Sequence, residues 1–115
     1  MPLLFSYGTL REPTVQVATF GRFVGGTPSH LSGYRITAVA IDDPAAVSAI
    51  GRTHHANASY TGDPGDRVEG IALEVTDAEL AVADAYEERD RYTRIAVTLD
   101  SGRSAWVYVH TPLLR

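Results

Sequence analysis

Short apolar runs, broken at intervals by Gly and Pro, set the rhythm of this chain. Residues 3–7 (LLFSY) form an apolar run that stops at Gly8 and read as a buried strand ended by a turn. Glu12-Pro13 then opens a short helix, with Pro at a favoured first position. Val15, Val17, Ala18 and Phe20 supply its apolar face, and Gly21 ends it. Residues 25–28 (GGTP) read as a loop and 33–41 (GYRITAVAI) as a β-branched, apolar strand. Residues 42–67, rich in Asp, Gly and Pro, read mostly as loop, with a short strand at 47–50. Alternation returns at 68–75 (VEGIALEV), a strand. Asp77 then serves as the N-cap of a helix over 78 to 87 or 88, with Glu79 in its first turn. Strands at 92–99 and 104–110 follow, joined by 100–103 (DSGR), which has hairpin composition.

Two helices cannot cover both faces of a sheet of five or more strands. The economical architecture is α+β: a curled, barrel-like, antiparallel-rich sheet of about five to seven strands with the helices packed outside it. The 115 residues are expected to form one domain over 1–115.

Composition narrows the chemistry. The chain has no Cys, which excludes disulfides, thiolate metal sites and cysteine nucleophiles. All ten basic residues are Arg; without Lys there is no Schiff-base chemistry and no Walker-type phosphate loop. A net charge of -4 argues against nucleic-acid partners and against a polybasic membrane surface. No apolar run approaches the roughly 20 residues of a membrane span, and the N-terminal segment lacks the charged and apolar regions of a signal peptide. A cytoplasmic location is the expectation.

Two places could carry chemistry. The first is Tyr7-Gly8-Thr9-Leu10, between a strand and a helix. Gly8 allows a sharp turn with no side chain in the way, and successive backbone N–H groups in such a turn form an anion-binding concavity suited to a carboxylate or a developing oxyanion. Arg11 either holds a carboxylate or faces solvent. The second is the end of the later helix. At 100° per residue, Leu80, Ala83 and Tyr86 centre the core face; Glu87 lies about 40° from that centre and Glu88 about 140° away. Glu87 therefore points inward and Glu88 outward. An inward carboxylate at a helix C-terminus is a candidate base with a raised pKa; the alternatives are that it caps the helix, pairs with Arg91 or Arg94, or reaches water. His54-His55 lie next to each other, so on a strand they point to opposite faces and cannot share a metal. No other spacing suggests a metal site.

The segments FSYGTLR, VEGIALEV and ADAYEERDRYTRIAVTL, in that order, resemble the gamma-glutamylcyclotransferase-like proteins. Tyr7, Gly8, Thr9 and Leu10 match that family's loop after the first strand; Val68 and Gly70 match its Val-x-Gly strand. Asp84 and Glu87 match its helix ending, and Tyr92 and Arg94 its Tyr-x-Arg strand. Residues 42–67 lie outside the match. Ala83 stands where the family usually has Leu, and Glu88 where it has Gly, which implies a different turn after Glu87. The resemblance implies a mixed barrel-like fold with a cavity between the loop and Glu87. It also implies a reaction in which the α-amine of a γ-glutamyl amide attacks its own γ-carbonyl, giving 5-oxoproline and a free amine. Glu87 is then the general acid/base, the N–H groups of Gly8, Thr9 and Leu10 hold the substrate, Tyr92 and Tyr7 line the cavity, and neither metal nor organic cofactor is implied. The alternative on the same fold is a non-catalytic module that binds a small carboxylate, with a regulatory role.

Overall fold

The computed structural model describes residues 1–40 and 54–110. Its elements, in chain order, are β1 (Leu3–Ser6), a 3-10 turn (Thr9–Arg11), α1 (Pro13–Phe20), β2 (Thr27–Ser32), β3 (Tyr34–Ala40), β4 (His54–Tyr60), β5 (Arg67–Glu74), α2 (Asp77–Glu88), β6 (Tyr92–Thr98) and β7 (Ser104–His110). The strand expected at 47–50 lies outside the described residues.

Five strands form one sheet in the order β2-β5-β1-β7-β6, and β3 and β4 form a separate antiparallel ribbon. The central β1 runs antiparallel to β5 and parallel to β7, with Leu4 opposite Trp106 and Phe5 opposite Val107. All four residues of β1 are buried, as expected of a strand covered on both faces. Strand alternation sorts the core into two layers. Leu3 and Phe5, with Leu31, Val68, Ala72, Leu99 and Val107, pack against Ala58 and Tyr34 of the ribbon. Leu4, with Leu73, Val75, Tyr92 and Tyr108, packs on the other face against Leu80 and Ala83 of α2 and Val15 and Phe20 of α1. The result is the expected α+β architecture: a mixed sheet with helices on one face, and a β-ribbon closing the other.

Several local expectations are corrected. The segment read as a loop at 25–28 leads directly into β2, whose pattern hides it because only Leu31 is buried. β2 is an edge strand, the place in a sheet where Pro is tolerated. β4 falls within the stretch read mostly as loop. Its sequence, HHANASY, has little strand propensity, but β3 pairs with it along its whole length, from Tyr34 opposite Tyr60 to Ala40 opposite His54. Partner and burial, not propensity, decide this strand.

The first helix also turns differently. Val17 is 51% exposed and Gln16 is fully buried. The Gln16 amide donates to the carbonyls of Leu10 (3.0 Å) and Gly25 (3.2 Å), and its oxygen accepts from the amides of Val24 (2.8 Å) and Gly25 (3.0 Å). A polar side chain that satisfies four backbone groups inside the protein outcompetes an apolar one at that position. The second helix starts one residue earlier than expected. Thr76 is its cap, in a capping box with Glu79, and Glu79 also holds Arg22 through two bonds of 2.6 and 2.9 Å. That bidentate contact, then the Thr76 amide, pull the Glu79 carboxyl down to about 2 and pin the exit of α1 to the start of α2.

Candidate active site

A cavity of about 290 Å³ opens where β1 ends. Because β1 and β7 are parallel, their C-terminal ends lie together, and both the turn after β1 and the end of α2 face this region. Gly70 makes the junction possible. A Cβ there would lie 2.3 Å from the Ser6 carbonyl oxygen and 2.8 Å from the Phe5 ring, so only Gly lets β5 approach the end of β1 this closely.

Gly8 plays a different part from the one expected. Its φ of -125° is open to any residue, and a Cβ would meet nothing within 4 Å. The missing side chain leaves room in the cavity rather than permitting a forbidden turn. The chain then winds into the 3-10 turn, in which the Arg11 amide donates to the Gly8 carbonyl (3.1 Å) and the Glu12 amide to the Thr9 carbonyl (2.9 Å). As the first residues of that turn, Thr9 and Leu10 have amides with no acceptor inside it. Leu10 is buried as an anchor, with Gln16 on its carbonyl. Arg11 is exposed, and its Nε folds back onto the Gly8 carbonyl at 3.1 Å. The Thr9 hydroxyl lies 2.9 Å from the Tyr86 hydroxyl, which ties the turn to α2 beside Glu87.

The sequence-derived site residues Tyr7, Gly8, Thr9, Leu10, Glu87 and Tyr92 all line this one cavity. Glu87 is partly buried while Glu88 is exposed, in keeping with the helical geometry. Burial pushes the Glu87 carboxyl up from its ordinary 4.5 to about 7, and the nearby Asp90 carboxylate adds to the rise. Among the described residues, no hydrogen bond or ion pair ends on the Glu87 side chain. Arg94, one of its possible partners, pairs instead with Asp84 at 3.5 Å. The helix continues through Glu88, and the chain turns at Arg91, where φ is 65°. Glu88 therefore lies within the helix, and the left-handed residue of the following turn is Arg91.

Three phenols surround the carboxylate, and each donates its proton to another protein group. Tyr7 donates to the Tyr108 carbonyl (2.6 Å), Tyr92 to the Ala56 carbonyl, and Tyr108 to the Asp84 carboxylate (2.7 Å). Burial raises the pKa of all three: Tyr7 to about 12, against an opposing hydrogen bond from the Ala58 amide, and Tyr92 and Tyr108 in the same direction. All three hydroxyls are neutral at physiological pH. Tyr86, Asp90 and Tyr108 were not anticipated at the site. A signal for Tyr108 exists: strand parity puts Trp106 and Tyr108 on the helix-facing side of β7, opposite Val107.

A family model for "Gamma-glutamyl cyclotransferase, AIG2-like" matches residues 4–114. Among solved structures, that of At3g28950.1 from Arabidopsis thaliana superposes with a TM-score of 0.68 at 25% sequence identity over 95% of this chain. The chain spans 61% of that protein's length. The uncharacterized protein PH0828 from Pyrococcus horikoshii superposes with a TM-score of 0.59 at 15% identity, over 100% of this chain and 82% of its own, a likeness of fold alone. No curated protein matches in sequence. With a match that runs from β1 through the last strand and takes in both the turn and the helix that line the cavity, the chain belongs to the AIG2-like gamma-glutamyl cyclotransferase family.

Proposed function

We propose that this protein cyclises a small γ-glutamyl amide (a γ-glutamyl amino acid or amine) to 5-oxoproline, with Glu87 as the general acid/base. The observation that carries the reading is the Glu87 carboxylate. It lines a cavity opposite the turn at residues 7–10, accepts no donor among the described residues, and has its pKa pushed up to about 7. A group with that affinity is divided between its two forms at neutral pH and can take and return a proton with nearly equal ease.

The reaction suits a chain without Cys or Lys, because the nucleophile belongs to the substrate. Glu87 accepts a proton from the α-ammonium. The freed nitrogen attacks the γ-carbonyl carbon, forming the ring C–N bond and a tetrahedral oxyanion. As the bond to the leaving nitrogen breaks, Glu87 returns the proton to it; the ring nitrogen then gives up its second proton through Glu87 to the departing amine, which leaves as an ammonium ion. No metal or cofactor enters this scheme. Holding the substrate folded for ring closure supplies much of the acceleration. The Thr9 and Leu10 amides, lacking acceptors in their own turn, are placed to bind the α-carboxylate or the oxyanion, with Gly8 leaving space beside them. Losing one oxyanion donor costs typically about 3 kcal/mol in other enzymes. Tyr7 and Tyr92 form the wall behind the α-amino group.

The test is a panel of γ-glutamyl amino acids and amines assayed for 5-oxoproline release. The wild type is expected to turn over at least one of them and Glu87→Gln to lose activity by about a hundredfold or more, within the range typical of general acid–base groups. Full activity in Glu87→Gln would remove the mechanism. Tight binding of a small carboxylate without turnover would select the non-catalytic reading of the same cavity.

A further inference from the structure

Glu87 sits among groups able to stabilise its charge, yet none of the described ones does so. Tyr7 faces it from just beyond β1, Tyr92 from β6 and Tyr108 from β7; Arg11 lines the cavity from the 3-10 turn, Glu12 from just after it, and Asp90 from the turn after α2. A phenol donating to a carboxylate, or a guanidinium beside it, lowers the carboxylate's proton affinity. Tyr7 and Tyr92 are committed to main-chain carbonyls, and Arg11 to the carbonyl of Gly8. Tyr108, the remaining donor on the cavity wall, converges with Arg94 of β6 on one side chain. Asp84 accepts the Tyr108 hydroxyl at 2.7 Å on one oxygen and faces Arg94 at 3.5 Å with the other. The Arg94 guanidinium also lies over the Trp106 ring, 4.4 Å from its centre.

Asp84 lies three residues before Glu87 on α2, so both side chains rise from the same face of the helix. Asp84 and Arg94 are also motif residues for which the cyclisation scheme has no use.

We propose that Asp84 is a positioning residue that draws the Tyr108 proton and the Arg94 charge away from Glu87, keeping that carboxylate free to act as a base. Without Asp84, the Tyr108 hydroxyl has lost its acceptor at the cavity wall, and Glu87 is the carboxylate left on that side of the helix. Arg94 loses its counter-charge at the same time. Both changes favour ionised Glu87 and weaken it as a base. Asp84 acts through other side chains and touches no reacting atom.

This inference rests on Glu87 being the acid–base group, and its test reads the proton directly rather than turnover. The carboxyl carbon of Glu87 in 13C-labelled full-length protein is titrated by NMR. The wild-type midpoint is expected near 7, and Asp84→Ala is expected to lower it by one pH unit or more. Tyr108→Phe in an otherwise native chain leaves it in place, since no proton is released. Adding Tyr108→Phe and Arg94→Met to Asp84→Ala brings it back toward 7, because both stabilising groups are gone. A helix merely loosened by the loss of Asp84 would admit water and keep the midpoint low in the triple variant. That result, or an Asp84→Ala midpoint equal to the wild type's, overturns the proposal. Should Asp84→Ala not fold, Asp84→Ser, one atom too short to hold both partners, serves in its place with the same expectations. Failure of the 5-oxoproline assay alongside the expected titrations would reject the reaction and leave the role of Asp84 standing.

Discussion

Replacing Glu87 by Gln should stabilise the protein at alkaline pH while abolishing its chemistry. The folded protein holds the Glu87 proton more tightly than the unfolded chain does, with a pKa of about 7 against 4.5. A raised carboxyl pKa means that the contribution of this group to stability is intact below 4.5 and is lost as pH climbs toward 7 and above. Each tenfold change in proton affinity is worth about 1.4 kcal/mol, so burying the ionised carboxylate costs about 3 kcal/mol at pH 8. Glu87 is partly buried, which makes this an upper figure. Gln is uncharged and nearly isosteric. At pH 4 the two proteins should unfold at the same denaturant concentration; by pH 8 the variant should be more stable by about 2–3 kcal/mol. The assay is urea unfolding at half-unit intervals from pH 4 to 8.5, with the difference between the two proteins plotted against pH. A flat difference, or one that favours the wild type as pH rises, refutes the claim that the carboxylate is held against its solvation.

Other consequences follow from single contacts. Gly70→Ala drives a methyl to within 2.3 Å of the Ser6 carbonyl and should cost about 3 kcal/mol or more, a fall in Tm of at least roughly 10 °C for a domain of this size; an unchanged melting curve would contradict the packing of β5 on β1. Gln16→Leu keeps the volume but strands the backbone partners at Leu10, Val24 and Gly25, so about 2–4 kcal/mol should be lost in urea titrations. Gly8→Ala meets no atom within 4 Å and should melt within about 2 °C of the wild type. If the cavity binds the γ-glutamyl group as proposed, the added methyl should nevertheless lower kcat/KM by about tenfold or more, some 1.4 kcal/mol of transition-state binding.

What the sequence revealed, and what it hid, follows from how each element is stabilised. β1, β5, β6, β7 and α2 are legible because their own residues carry the apolar pattern, a continuous buried run in β1 and an apolar stripe in α2. The inward rotation of Glu87 follows from the same arithmetic: Leu80 and Ala83 are buried, and the carboxylate comes round with them. β2 and β4 are hidden because their stability comes from partners distant in sequence. Leu31 alone anchors β2, and Ala58 of β4 is a small residue packed into the core against the sheet. Gln16 is hidden for another reason: a buried polar residue breaks the apolar stripe that helix reading relies on, and its worth lies in four backbone groups of neighbouring segments. The acceptors of the tyrosine protons could not be read at all, since a phenol's partner is set by tertiary geometry. For the same reason Asp84 matched a motif without disclosing what it does.

The parallel pairing of β1 with β7 has a consequence for synthesis. Tyr7 and Tyr108, joined by a hydrogen bond, are 101 positions apart, so the strand that begins the sheet waits for the one that completes it. Until β7 emerges from the ribosome, β1 has a bare edge beside an apolar face, and contacts of such sequence separation form slowly. The Asp84–Tyr108 and Tyr7–Tyr108 links close in that same final docking step. A chain made only as far as β6 can hold the glycine turn and the helix but not their alignment, so the cavity that Glu87 lines is completed only when β7 docks.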